Sequence, residues 1–451
     1  MDHLNEILLK YDARVPRYTS YPTAPHFEAA VDADVYRDWL AGIAADTPLS
    51  LYLHVPFCSQ LCWFCGCQTG VVNRYEPVAS YLKLLEAEID QVAAALGPDR
   101  PVSHVHWGGG SPDIVQGSDF TAIMERLGER FVFADQAEVA VEIDPRIFSP
   151  EQAGAFAAAG VNRASLGVQD FDAAVQVAIN RVQPYEMTAA TVTALRQAGI
   201  DDLSFDLLYG LPGQTAAGLI ATVDLALELR PNRISLFGYA HVPWMRKHQA
   251  LMDESALPGA AARLELYQAA AKRLVERGFS AIGIDHFARP GDDLGKAGES
   301  GQLHRNFQGY TTDQADTLIG LGASAIGALP QGYVQNATLV PDYRRAIEAG
   351  QLATVRGLEL DDDDRLRRDV IERLMCDLSV DLGIVSADHG SDPAIFAEAL
   401  TALEPMQQDG LVTISGDRIT VVPAGRTVVR LACAAFDRYL AAGKARHSSA
   451  I

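Results

Sequence analysis

The chain of 451 residues has no apolar run long enough to cross a bilayer; its most apolar later stretch, 318–329, is short and interrupted by glycine. The opening residues, Met1 to Lys10, carry neither an apolar core nor a small-residue cleavage site, so no secretory leader is expected. Basic residues are scarce. Lys and Arg total 37 against 58 Asp and Glu, a formal net charge of −21, which argues against a general nucleic-acid binder and against docking on an anionic membrane. A local basic pocket remains compatible with that balance. Cysteine is scarce too, with six in the chain, too few for a disulfide framework. Cys376 and Cys433 stand alone and are expected to be buried apolar thiols. The other four crowd between Cys58 and Cys67, which points to metal binding in a reducing compartment, most simply the cytoplasm. What is abundant is apolar: 48% hydrophobic against 21% charged residues suits a soluble globular protein with a large core, and the length suits two or three domains.

Strand-like and helix-like segments alternate from about residue 49 to 290. Runs at 49–57, 103–107, 137–143, 163–168, 203–208 and 234–239 read as strands. In the first helical pattern, Val78, Leu82, Leu85, Ile89, Val92 and Leu96 recur at steps of three and four, one face of a helix. Further helices are expected near 119–130, 150–159, 186–198, 215–229 and 261–277. Six strand–helix units predict an α/β fold, an incomplete (β/α)6 TIM-like barrel with a parallel sheet inside and helices outside. In such folds chemistry gathers at the C-terminal ends of the strands. The expected division is an N-terminal extension over 1–45 covering the active site, the partial barrel over 46–350, and a mainly helical domain over 351–451. In the last of these, 408–426 predicts a small winged-helix-like β-hairpin around a Gly-Asp turn. The run Asp361–Asp364 reads as a solvated helix N-terminus, where carboxylates favour the helix dipole.

The residues just after each strand are the candidates for chemistry. Cys58, Cys62 and Cys65 follow the first strand with the spacing Cys-x3-Cys-x2-Cys. Three thiolates hold three corners of a cubane iron–sulfur cluster and leave one iron open. A zinc site, which needs a completed tetrahedron, is the alternative. Cys67 is open between spare ligand, redox thiol and packing residue, and Phe64 between local packing and a role beside the cluster. Gly108-Gly-Gly-Ser111 follows the second strand, where glycines allow close backbone approach and free N–H groups can hold a polar ligand. Glu142 and Asp144 end the third strand on one face, as binders of a hydroxyl-rich ligand or as members of an ion pair with Arg163 or Arg146. Gln169, Asp206, Ala240 and His241 sit at or near the next strand ends, with Arg181 in the segment after Gln169.

These residues, taken together, resemble the radical S-adenosylmethionine (SAM) superfamily. More closely, the chain resembles the oxygen-independent coproporphyrinogen III oxidase (dehydrogenase) family. The resemblance is carried, in order, by Arg17-Tyr-Thr-Ser-Tyr-Pro-Thr-Ala24, Cys62-Trp-Phe-Cys-Gly-Cys67, His106-Trp-Gly-Gly-Gly110, Glu142-Ile-Asp-Pro-Arg146, Gly167-Val-Gln-Asp-Phe171, Asp206-Leu-Leu-Tyr-Gly-Leu-Pro212, Asp285-His-Phe-Ala-Arg-Pro290 and His304-Arg-Asn-Phe-Gln-Gly-Tyr-Thr-Thr312. It implies a partial barrel of the radical SAM type and an oxidoreductase of haem biosynthesis. The implied reaction is decarboxylation of two propionates of coproporphyrinogen III to vinyl groups, giving protoporphyrinogen IX by way of a 5′-deoxyadenosyl radical. The implied cofactors are one [4Fe-4S] cluster on Cys58, Cys62 and Cys65, its open iron coordinated by SAM, and a second SAM nearby. Carried across by position, the SAM-contacting residues are Tyr52, Phe64, Gly109, Gly110, Ser111, Glu142, Gln169, Arg181, Asp206, Ala240 and Ile326, with Phe307 and Gln308 near the second SAM. The family pattern has Thr where this chain has Ser111; both offer a hydroxyl. No catalytic side chain is assigned beyond the cluster ligands and SAM holders.

The substrate carries four carboxylates, and Arg14, Arg17, Arg289 and Arg305 in polar segments are candidates to receive them. An electron donor such as a flavodoxin or ferredoxin is implied; no nucleic acid and no membrane span are expected, and a monomer is the working expectation. Two rivals share the cluster and barrel: a haem chaperone and a haem-modifying radical SAM methyltransferase. The chaperones typically lack the Arg17–Ala24 segment and Cys67, and carry His-Asn-x-x-Tyr-Trp where this chain reads His304-Arg-Asn-Phe-Gln-Gly-Tyr-Thr. Those features favour the oxidase. A plain electron carrier is disfavoured by the glycines and Glu142.

Overall fold

The computed structural model describes residues 3–440. Six strands follow one another in chain order: β1 (Leu49–Val55), β2 (Arg100–Gly109), β3 (Phe131–Ile143), β4 (Arg163–Gln169), β5 (Asp202–Tyr209) and β6 (Arg233–Gly238). All five neighbouring pairs are parallel. The helices between and after them are α1 (Glu76–Leu96), α2 (Gly117–Arg130), α3 (Pro150–Ala158), α4 (Tyr185–Gln197), α5 (Ala216–Glu228) and α6 (Ala260–Glu276). The apolar face expected for the first helix is the face that packs: Val78, Leu82, Leu85, Ile89, Val92 and Leu96 are all at most 4% exposed. Local sequence sets the helix ends. Ser149 and Gln152 form a reciprocal capping box at the start of α3. Gly160 and Gly199, just beyond α3 and α4, take φ values of 96° and 91°, where a side chain would be strained.

Two short strands, β7 (Ser280–Ile282) and β8 (His286–Ala288), extend the β6 edge antiparallel. At the other edge β9 (Thr317–Leu321) pairs parallel with β1. Beyond it β10 (Ile326–Leu329), β11 (Gly332–Asn336) and β12 (Thr354–Glu359) continue antiparallel. Among the described residues the sheet therefore has twelve strands in one linear order, with the outermost two unpaired to each other. The barrel is open, as the six-unit count predicts, and its antiparallel flanks were not expected. β12 pairs within this sheet, so the sheet continues past residue 350 to Glu359, and the helix Asp362–Asp377 follows it.

Asp361 caps that helix with a reciprocal box to Asp364, and Arg438 pairs with Asp361, Asp363 and Asp364, so the acidic run is a helix N-terminus. The C-terminal part is mainly helical and carries an antiparallel hairpin, Val412–Ser415 with Arg418–Val421, joined by Ser379–Asp381. Its core includes Leu374, Phe396, Val429 and Cys433, and also Leu8, Tyr18 and Tyr21 from the other end of the chain. Cys376 and Cys433 are buried, as expected. Met1, Asp2 and 441–451 lie outside the described residues. No described helix is long and apolar enough to cross a membrane.

Candidate active site

At the C-terminal end of β1, Phe57–Cys58 pairs parallel with Gly70–Val71 and pinches off the loop that carries the cysteines. The loop is tied from several sides. Trp63 N–H donates to Ile179 O at 3.0 Å, Asn180 Nδ2 to Leu61 O at 2.8 Å, and Gln249 Nε2 to Phe64 O at 3.0 Å. Arg246 Nε donates to Gly66 O at 2.8 Å, and His248 Nε2 lies 2.8 Å from Cys65 O. The loop opens on a cavity of about 370 Å³ inside the partial barrel. Cys62 is buried, Cys58 and Cys65 are half-buried, and Cys67 is exposed.

The charge around the thiols is arranged by β3. Asp144, at its end, accepts from Arg146 Nη2 at 2.6 Å and from Arg181 Nη2 at 3.1 Å. The same guanidiniums reach Cys62 Sγ, Arg146 Nη2 at 3.3 Å and Arg181 Nη1 at 3.5 Å. Burial alone raises the Asp144 carboxyl, but Arg181 and Arg146 hold it below its ordinary range. Of the partners anticipated for Asp144, Arg146 is the one found; Arg163 instead pairs with Glu138 and Asp202. Burial pushes the Cys58 thiol up to about 12. The Cys65 thiol is lowered, first by a hydrogen bond from the Cys67 thiol, and this favours the thiolate that binds metal.

Glu142, two residues before Asp144, has different partners. Its Oε1 lies 3.2 Å from His106 Nε2, and its Oε2 accepts from Gly109 N–H at 3.1 Å. Burial raises this carboxyl, yet His106 and the Gly109 N–H bring it below its usual range. Asp206 is pushed up to about 6 by burial and by Glu142, against a hydrogen bond from Ser165. The glycines behave differently from expectation. Gly110 N–H donates to Val55 O and Ser111 N–H to Phe57 O, so with Gly109 these N–H groups are taken by protein. A Cβ at Gly108 would meet Glu142 Oε1 at 2.8 Å, and one at Gly109, whose φ is 116°, would meet the His54 ring at 2.6 Å. Their smallness lets Glu142 and His54 pack onto the strand end.

The donor set suits an iron–sulfur cluster: three thiols on one anchored loop, two guanidiniums to offset thiolate charge, and an adjoining cavity with acidic and basic walls. Among the described residues no three His, Cys, Asp or Glu side chains converge tightly enough for a single ion; a cubane spreads its ligands over separate irons. Of the candidate SAM-contacting residues, Phe64, Gly109, Gly110, Ser111, Glu142, Gln169, Arg181, Asp206 and Gln308 line the cavity with the three cysteines. Gln308 Oε1 and Arg181 Nε are buried there without hydrogen-bond partners. Tyr52 stands behind the wall, its ring stacked on His106 at 5.9 Å. Ile326 and Phe307 pack beside Tyr333, and Ala240 lines a neighbouring cavity instead. That neighbour also gathers Arg14, Arg17 and Arg305. Arg289 is elsewhere, donating to Pro231 O at 2.7 Å with its guanidinium over the Phe279 ring, so it drops out as a substrate candidate. The segment 17–27 lies against the C-terminal core through Tyr18 and Tyr21 and against Tyr333 through Phe27. Sequence reasoning missed His106, Arg246, His248 and Gln249 as supports of the site. His106 was open to notice by strand alternation, two residues before the glycines.

Two family models match: the radical SAM superfamily over residues 52–226 and the HemN C-terminal domain over 360–428. The chain is 50% identical to an oxygen-independent coproporphyrinogen III oxidase of Bradyrhizobium diazoefficiens across 98% of both chains. It is 44% identical to one of Paracoccus denitrificans across 98% of this chain and 97% of that one. Its structure superposes on coproporphyrinogen III oxidase (HemN) from Escherichia coli, described as a radical SAM enzyme, with TM-score 0.90 and 37% identity over 95% of this chain and all of that one. Cluster loop, partial barrel and full-length kinship agree: the chain belongs to the oxygen-independent coproporphyrinogen III oxidases of the radical SAM superfamily.

Proposed function

We propose that the chain catalyses the oxygen-independent oxidative decarboxylation of two propionate side chains of coproporphyrinogen III to vinyl groups, yielding protoporphyrinogen IX. The observation that carries this reading is the anchored three-cysteine loop opening into the barrel cavity, in a chain half identical along its length to an enzyme named for this activity.

Cys58, Cys62 and Cys65 are the proposed cluster ligands. Bound together, cluster and SAM supply one-electron reduction of a sulfonium and, through it, removal of a hydrogen atom from a substrate carbon. The chain's own residues bind, orient and shield. Arg146 Nη2 and Arg181 Nη1 donate to Cys62 Sγ and set two positive charges beside the loop. Glu142, held ionised by His106, offers the cavity a fixed negative charge, and Asp206 offers a second carboxyl of higher pKa. Gln169, Arg181 and Ser111 add neutral and cationic polar groups, and Phe64 an apolar face. Two SAM molecules are proposed. Phe307 and Gln308 are assigned near the second, where the unpartnered Gln308 Oε1 supports a further polar ligand; Ala240 and Ile326 stay SAM-contacting candidates. No proton transfer by a side chain is needed for hydrogen removal, and none is assigned. A flavodoxin- or ferredoxin-type donor, a monomeric state and a cytoplasmic location complete the reading.

The test is anaerobic. The iron- and sulfide-reconstituted protein receives SAM, a strong reductant and coproporphyrinogen III, and 5′-deoxyadenosine, CO2 and a divinyl product are measured. Haem binding without turnover, or methylation or opening of haem, would replace this reading with one of its rivals.

A further inference from the structure

The cavity that adjoins the cluster cavity has a volume of about 240 Å³. The two are back to back: Gly238, Asp285 and Arg305 line the smaller, and their chain neighbours Phe237, His286 and Asn306 line the larger. Five arginines face the smaller one, Arg14, Arg17, Arg263, Arg305 and Arg430, against a single lining carboxylate among the described residues, Asp285. In a chain of net charge −21 this concentration runs against composition and calls for a cause.

The Arg305 side chain and Arg430 are buried, Arg263 is half-buried, and Arg14 and Arg17 reach in from exposed positions on the N-terminal segment. Arg305's side chain is 4% exposed, and its Nη1 lies 4.0 Å from Asp285 Oδ1, an ion-pair separation too long for a hydrogen bond. Its Nε and Nη1 have no hydrogen-bond partner among the described residues. Its guanidinium is fixed over the Tyr310 ring at 4.4 Å. Arg430 is 8% exposed, and Arg17 Nη2 donates to Gly238 O at 2.8 Å. Space is reserved for Arg263. A side chain at Gly210, where φ is 85°, would collide with its guanidinium, and a Cβ at Gly238 would come within 3.1 Å of Nη2. Burial, followed by Arg17, lowers the Arg430 guanidinium to about 10. Asp285 is itself engaged by His286 at 2.7 Å. Cations so crowded in a low-dielectric wall repel one another, and a polyanion entering the cavity removes that cost. Tyr209, Tyr239, Trp244 and Tyr267 add flat apolar surface beside the charges.

We infer that this cavity is the carboxylate-binding part of the substrate site, in which Arg17, Arg263, Arg305 and Arg430 grip propionates of the tetrapyrrole while another edge of the ring reaches the cluster cavity. The inference rests on the proposed activity. Its volume is below that of a whole-ligand pocket, which fits an edge of the substrate better than the full macrocycle. Planar guanidiniums suit carboxylates because two parallel N–H groups meet two oxygens.

The experiment measures anaerobic equilibrium binding of coproporphyrinogen III and of its tetramethyl ester to the reconstituted holoenzyme. Arg263→Gln and Arg430→Gln should each weaken binding of the free acid about tenfold or more, the scale of a lost hydrogen bond to a charged group. Arg263→Lys should recover part of the loss. Arg289→Gln, outside the cavity, should bind as the unaltered enzyme does. Cluster absorbance and circular dichroism report whether the variants fold. The ester should bind the unaltered enzyme weakly and ignore the substitutions. If both glutamine variants fold and bind the free acid as tightly as the unaltered enzyme, or if the ester binds as tightly as the acid, the cavity assignment is wrong even though turnover continues. If the unaltered enzyme releases no CO2 from coproporphyrinogen III, the activity reading fails and this assignment falls with it.

Discussion

Asp144 faces two guanidiniums beside the cluster loop, and replacing it by asparagine tests whether the site is held by charge. Its side chain is 11% exposed, those of Arg146 and Arg181 9% and 7%. Arg146 Nε and Nη2 meet its two oxygens at 2.9 and 2.6 Å, and Arg181 Nη1 and Nη2 meet them at 3.2 and 3.1 Å. Asp144→Asn preserves volume and one acceptor oxygen but leaves both cations without their counter-charge. Removing one partner from a buried pair costs about 3–5 kcal/mol. With one acceptor retained the expected loss is near the lower end, about 3 kcal/mol, or roughly a hundredfold in the folding equilibrium. The assay is urea unfolding of the cluster-free protein under reducing, oxygen-free conditions, with cluster retention after desalting as a second readout. Both should fall, because the guanidiniums that Asp144 orients are those that donate to Cys62. Arg146→Met should destabilise less in the Asp144→Asn background than alone, since the uncompensated cation is then gone. A loss below about 0.5 kcal/mol, the scale of an ordinary surface substitution, would refute the argument.

Cys58→Ala, Cys62→Ala and Cys65→Ala should each abolish cluster absorbance and turnover; an intact cluster spectrum in any of them means that its cysteine is not a ligand. Deleting residues 1–30 should abolish decarboxylation while the cluster still forms, because Arg14 and Arg17 leave the arginine cavity and Leu8, Tyr18 and Tyr21 leave the C-terminal core; full activity in the truncation excludes that role. The His304 imidazole is raised by its hydrogen bond to Glu372, Nδ1 to Oε1 at 2.9 Å. Its contribution to stability is therefore complete below the ordinary imidazole value of about 6.5 and lost as pH rises through the higher folded value. Unfolding midpoints measured from neutral into alkaline pH should show that decline in the unaltered protein and lack it in Glu372→Gln; identical slopes count against the pair.

The repeating part of the fold was legible because its signals are long and periodic. Each expected strand from 49 to 239 and each expected helix from 78 to 277 corresponds to an observed element within about three residues, except that the third strand begins six residues earlier than expected, at Phe131. The flanking strands were not legible. β7, β8 and β10 have three or four residues each, too few for alternation to stand apart from a loop. At the site, strand direction puts Cys58, Gly109, Glu142, Gln169 and Asp206 at one mouth, and strand order alone makes that predictable. Pairing within the mouth is a different matter. Glu142 and Asp144 share a face of one strand, yet one joins His106 and the other two arginines, a choice set by neighbouring strands. Arg263 and Arg430 lie in helices with no local mark, whereas Arg289 sits in a loop motif and turns away from the cavity.

The arginine cavity draws on five pieces of chain: Arg14 and Arg17, Tyr209 and Gly210, the stretch from Gly238 to Tyr267, Ile284 to Arg305, and Thr427 with Arg430. The first and last share an apolar cluster in which Leu8, Tyr18 and Tyr21 pack with Val429 and Cys433. Docking of the N-terminal segment therefore assembles the cavity and at the same time brings like charges together. Apolar burial drives that docking, and cation repulsion opposes it. A ligand with several carboxylates changes the sign of the second effect, because each carboxylate can bridge arginines from different pieces. Linkage then requires reciprocity: whatever tightens the N-terminal segment on the C-terminal core tightens substrate binding by the same free energy, and substrate protects that segment in return. Hydrogen exchange at residues 14–21 should accordingly slow when coproporphyrinogen III is added, and slow less in Arg430→Gln. SAM alone, which carries a single carboxylate, should leave that exchange nearly unchanged. Protection by SAM equal to that by the tetracarboxylate would show that the segment responds to the cluster cavity and not to the arginines.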